Sequence, residues 1–74
     1  MIMNIMTRED GHKVESFNQD DIVSVAAAEK RFAELVGSGH TAWKPGVNGA
    51  PGEILKSFDD KADVVNFMPR LVGG

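Results

Sequence analysis

Cysteine is absent from the 74 residues, which excludes a disulfide, a zinc–thiolate centre and a thiol nucleophile. Positive charge is scarce: eight Lys and Arg stand against eleven Asp and Glu, a formal net charge of −3. Nucleic-acid affinity rests largely on cations meeting phosphates, so this balance argues against a nucleic-acid reader. No apolar run approaches the roughly 20 residues of a membrane-spanning helix. No Lys or Arg precedes the short apolar run at the N-terminus, as a secretory signal requires. The expectation is a soluble, cytoplasmic chain without membrane contact. Low-complexity segments and internal repeats are also missing. With 42% hydrophobic residues, the chain is expected to pack a core rather than stay disordered. It is expected to form one small domain, burying only about 60% of the surface its unfolded form exposes. That leaves room for one helix against one sheet.

The elements follow from periodicity and turn chemistry. Residues 1–7 alternate as a strand, with Met1, Met3 and Ile5 on one face and Ile2, Asn4 and Met6 on the other. Asp10-Gly11 supplies the positive-φ positions of a tight turn, and residues 12–17 return as a second strand. Val14 and Phe17 fall on opposite faces of a strict pleat, so either a bulge intervenes or Phe17 covers the helix entry. Asn18 and Asp20 are good helix caps, and Asp20 and Asp21 place negative charge where the helix dipole favours it. From there to Val36, the residues Val25, Ala28, Phe32, Leu35 and Val36 gather on one face with Ile22 at its edge. Lys30, Arg31 and Glu34 are expected to point away. Gly37-Ser38-Gly39 ends the helix.

Residues 41–44 read as a short third strand, and residues 45–52 as a loop by their proline and glycine content. Residues 53–58 make a fourth strand with Ile54, Lys56 and Phe58 on one side and Leu55 and Ser57 on the other. Residues 59–62 turn, and residues 64–68 alternate as the last strand. The order is β-β-α-β-β-β, an α+β class.

Few side chains carry a chemical signature. His12 and His40 stand alone, and a metal site needs three or four convergent ligands; the expectation is no metal. Asp59, Asp60 and Asp63 are carboxylates at near-calcium-loop spacing, but Lys61 occupies a position that needs an oxygen ligand and no Gly-x5-Glu follows. They read as turn formers. Gly46, Gly49 and Gly52 recur every third residue without the Gly-Lys-Ser/Thr of a phosphate cradle. Trp43, the only Trp, belongs either to the core or to a partner-facing patch. No nucleophile–base set has positional support, so no catalytic residue is assigned and an enzyme is not expected.

The chemistry concentrates in the final stretch, where alternation from Asp63 gives way at Pro69 to Arg70-Leu71-Val72-Gly73-Gly74. A Gly-Gly carboxylate is slim enough to enter a narrow channel, and its carboxyl carbon is unhindered toward attack. The run from Val64 to Met68, then Pro69 and Val72-Gly73-Gly74, resembles the C-termini of ubiquitin-like and ThiS/MoaD-type proteins, in which a last strand runs into an exposed Gly-Gly tail. Residues Asp63, Val65, Phe67, Pro69, Gly73 and Gly74 are especially similar to the sulfur carriers. The chain also resembles small prokaryotic or phage-borne ubiquitin-like proteins. The sulfur carriers often have a second proline where this chain has Arg70.

The element order and the resemblance both imply a β-grasp fold, a mixed sheet of four or five strands on one helix with the last strand parallel to the first at the sheet centre; the rival is a two-layer α+β sandwich with other strand pairing. The resemblance implies a domain over residues 1–68 and an exposed flexible tail over 69–74, leaving the sheet at Pro69. A separate adenylating enzyme, itself the user of ATP, would activate the Gly74 carboxylate, with Gly73 as its slim neighbour. Arg70, Leu71 and Val72 would be the partner-binding part of the tail. No cofactor would be bound by this chain. Any thioester cysteine would belong to a partner, since this chain has none.

Two fates then follow: attachment to a lysine of a target protein, or a terminal thiocarboxylate that donates sulfur to an acceptor enzyme. A processing peptidase is a further implied partner. Five lysines, Lys13, Lys30, Lys44, Lys56 and Lys61, can in principle accept another copy's carboxyl group, and nothing marks one of them. A reading from another class is a binding or assembly protein that docks through outward sheet residues such as Ile2, Leu55, Val64 and Met68.

Overall fold

The computed structural model describes residues 1–9, 11–48 and 50–70. In chain order the elements are β1 (Ile2–Thr7), β2 (Gly11–Ser16), α1 (Ile22–Gly37), β3 (His40–Lys44), β4 (Glu53–Leu55) and β5 (Val64–Pro69). They form an α+β domain in which one five-stranded mixed sheet, of order β2-β1-β5-β3-β4, is covered by one helix. β1 and β5 are parallel neighbours, with Met3 opposite Val65 and Ile5 opposite Phe67. The other three pairings are antiparallel. The expected central, parallel first and last strands are therefore present.

The pleat explains the core. Met1, Met3 and Ile5 are buried, as their alternation demanded, beside Val65 and Phe67 on β5 and Ala42 on β3. From the helix come Ala28, Phe32 and Leu35, at the spacing that keeps side chains on one face. Phe32 sits between two rings, edge-on to Phe67 at 5.7 Å and to Phe58 at 5.8 Å. Such edge-to-face pairs align the positive edge of one ring with the negative face of the other.

Several expectations need correction. The helix cap is Asp21, whose side chain accepts from the Val23 N–H at 3.0 Å, rather than Asn18 or Asp20. Asn18 instead closes a local turn by accepting from the Asp20 N–H. Ile22 is almost fully exposed, off the helix face that Ala28, Phe32 and Leu35 define. Arg31 does not point away: its guanidinium grips Glu15 of β2 through both carboxylate oxygens, at 2.8–3.1 Å.

No bulge interrupts β2, which pairs continuously with β1 from Gly11 to Ser16. Phe17 lies just past the strand and packs against the core, its N–H donating to the Met1 carbonyl at 2.8 Å. β4 ends at Leu55, three residues early, and its faces are the reverse of the expected ones. Pairing places Leu55 opposite buried Ala42 and exposed Ile54 opposite Trp43. Phe58 reaches the core from the following turn.

Candidate functional site

The tail residues Leu71, Val72, Gly73 and Gly74 lie outside the described residues, as do Asp10 and Gly49. The structure does describe the place from which the tail continues. β5 carries the chain through Pro69, which pairs with His40, and the Arg70 N–H donates to the Gly39 carbonyl at 2.8 Å. The chain thus stays with the sheet at Pro69 instead of leaving there. Alternate amides along a strand face opposite neighbours. Since that of Arg70 faces β3, the proline nitrogen faces β1, beyond the last paired residues Ile5 and Phe67. A proline is tolerated where no ladder partner needs its hydrogen.

Three local devices shape this end of the sheet. Gly39, past the helix, has φ of +97°, a region open to glycine and strained for other residues. Its carbonyl is thereby aimed at Arg70. The His40 ring then bridges the Ser38 hydroxyl and the Met6 carbonyl, at 3.2 Å each. A carbonyl only accepts, so Nε2 carries the hydrogen toward Met6. Finally, the Arg8 guanidinium, in the β1–β2 turn, donates to the Arg70 carbonyl at 3.0 Å.

Together Thr7, Arg8, Ser38, His40, Pro69 and Arg70 border a shallow, open groove of about 570 Å³. The lone His40 is therefore a structural bridge at the tail root. Its role was not legible locally, because Met6 is 34 positions away. Comparison of the chain with protein-family models, curated proteins and solved structures finds no match.

A second surface lies on the sheet face turned away from the helix. Ile2, Met6, Val14, Ile54 and Met68 are all exposed there. The Asn4 amide donates to the Asn66 side-chain oxygen at 2.9 Å, crossing from β1 to β5 in the middle of that face. Of the anticipated patch, Ile2 and Met68 are exposed, Val64 is half-buried and Leu55 turns to the core. Met6, Val14 and Ile54 were missed. Trp43 is half-buried, opposite Asn66 and Ile54, and lines a small groove with Gly52 and Met68. It faces outward beside the patch.

Elsewhere, Asp59 accepts from the Lys61 N–H at 3.0 Å and from Lys44 at 3.4 Å. The Lys61 hydrogen bond leads in holding its carboxyl below the ordinary 3.8, with Lys44 assisting against the opposing effect of burial. Asp59 is thus a turn former, as is Ala62, whose N–H returns to the Asp59 carbonyl. Among the described residues, no group of three or more His, Asp or Glu converges as a metal site requires. No described helix is long and apolar enough to cross a membrane.

Proposed function

We propose that this chain is a β-grasp, ubiquitin-like modifier whose Gly74 carboxylate is adenylated by a separate ATP-using enzyme and passed to a lysine of a target protein. One observation carries the reading. The parallel β1–β5 pair delivers the last strand to one end of the sheet, where Arg70 is anchored four residues before Gly74. A carboxylate is a poor acyl donor until an oxygen becomes part of a leaving group. Adenylation does this by forming a carboxyl–phosphate bond and releasing pyrophosphate from ATP; a lysine amine then displaces AMP or an intervening partner thiol. The chain supplies the acyl carbon and the partner the catalysis, so this protein is a substrate rather than an enzyme. The same activation followed by sulfur transfer would make a terminal thiocarboxylate, the sulfur-carrier alternative. Activation and transfer would take place in the cytoplasm.

A second reading is favoured by the outward sheet face. Its strand positions, including Ile2, Asn4, Met6, Val14, Asn66 and Met68, carry no carboxylate although the chain is net acidic. A docking protein would use this face and leave the tail inert. Expression of Gly74→Ala, or of a chain extended by one residue, in the native cells separates the two. The modifier reading expects both changes to abolish any heavier species containing this chain. Persistence of such species in both variants would remove that reading.

A further inference from the structure

We propose that Arg8 is a positioning residue for the C-terminal tail, clamping the Arg70 peptide to the end of the sheet and so setting where residues 71–74 begin. Its purpose rests on the activated-tail reading; its geometry does not. Both polar backbone groups of Arg70 are held, from opposite flanks. On the β3 side its N–H meets the Gly39 carbonyl at 2.8 Å, and from the β1–β2 turn the Arg8 guanidinium meets its carbonyl at 3.0 Å.

The two anchors share a foundation. Gly39 lies between Ser38 and His40, and the His40 ring ties that turn to Met6 at the end of β1. Arg8 follows the same strand two residues later. The end of β1 therefore holds the tail root directly through Arg8 and indirectly through His40 and Gly39. Among the described residues, neither Arg8 nor Arg70 has a carboxylate partner. Arg8 instead directs its guanidinium to a neutral carbonyl 62 positions away. A guanidinium suits this task because it is always charged and presents several donors on a long stem.

The consequence is a limit on reach. Four extended residues span at most about 14 Å, so a root held at Arg70 confines Gly74 within that radius of a fixed point. Confinement raises the effective concentration of the terminus at a partner docked on this end of the sheet. Arg70 itself stays available for contact through its side chain.

The test uses NMR on the full chain, comparing wild type, Arg8→Ala and Arg8→Lys. In Arg8→Ala the Arg70 carbonyl carbon resonance should move, and its amide should exchange about two- to tenfold faster, the factor expected for one net hydrogen bond. The Phe67 amide, inside the sheet, should exchange as before. Arg8→Lys should recover part of the Arg70 protection, since an ammonium still donates. An unchanged Arg70 carbonyl shift and exchange rate in Arg8→Ala would overturn the proposal. Equal acceleration at Phe67 would do so too, because it would reveal only a general loss of stability. The readout is independent of conjugation. An inert tail with an intact clamp removes the modifier reading alone, and a conjugated tail without the clamp removes the role of Arg8 alone.

Discussion

Replacing Phe32 by Leu removes the middle ring of the aromatic row that joins the helix to the sheet. Phe32 is almost fully buried and meets Phe67 at an interplanar angle of 69° and Phe58 at 68°. An edge-to-face pair contributes about 0.5–1.5 kcal/mol beyond its buried area, so losing two costs roughly 1–3 kcal/mol. At about 0.05–0.15 kcal/mol per residue, a chain of 74 residues has a total stability of roughly 4–11 kcal/mol. Phe32→Leu should therefore still fold, with Tm lowered by about 4–8 °C for each kcal/mol lost. Leucine retains most of the apolar area, which leaves ring geometry as the main quantity reported.

Urea melts of the two single variants and of the Phe32→Leu/Phe67→Leu double variant measure the pair directly. The coupling should be about 0.5–1.5 kcal/mol. A vanishing Phe32–Phe67 coupling would refute the core as described, because it would mean the two rings do not meet.

Asp21→Ala should cost about 1 kcal/mol by stripping the helix of its cap, and Asn18→Ala clearly less at this end; equal losses in chemical melts would contradict the assignment of the cap. Glu15→Gln should destabilise by about 0.2–1 kcal/mol at low salt, an effect that fades as salt screens the half-buried pair with Arg31; a salt-independent loss would show that charge is not the cause. Asp59 has a folded pKa below its ordinary 3.8, so its carboxylate contributes stability above that value which is lost as pH falls through the lower, folded one. Acid melts of Asp59→Asn should accordingly show a weaker pH dependence in that acid window than wild type, and identical curves would deny the contribution.

Where sequence and structure agree, a strong periodic signal met little competition. β1 alternates over its whole length, and Ala28, Phe32 and Leu35 define one helix face, so both elements were legible. Of the sheet order only the central, parallel β1–β5 pair was legible, from the order of the elements together with the C-terminal stretch, because strand pairing is non-local. β4 misled because the alternation of Ile54, Lys56 and Phe58 outruns the strand. The backbone bends after Leu55, and Phe58 enters the core from a turn where a period of two no longer applies. The cap was ambiguous because Asn18, Asp20 and Asp21 all have the right chemistry, and only backbone geometry selects Asp21. Arg31 was misplaced because a long side chain on the helix flank can reach a sheet edge that its Cα does not face. At the tail root, the residues Arg8, His40 and Arg70 are brought together by folding alone, and no local pattern announces them.

The state of the Gly74 carboxylate in the native cell separates the proposed roles. Mass spectrometry of the recovered protein, and of heavier species digested with trypsin, reads it. Cleavage after Arg70 should leave a Leu-Val-Gly-Gly remnant on a lysine of another protein, which is the predicted result. A mass gain equal to sulfur minus oxygen would instead identify the sulfur carrier. A free, unmodified terminus across growth conditions would contradict both and leave the outward sheet face as the working surface.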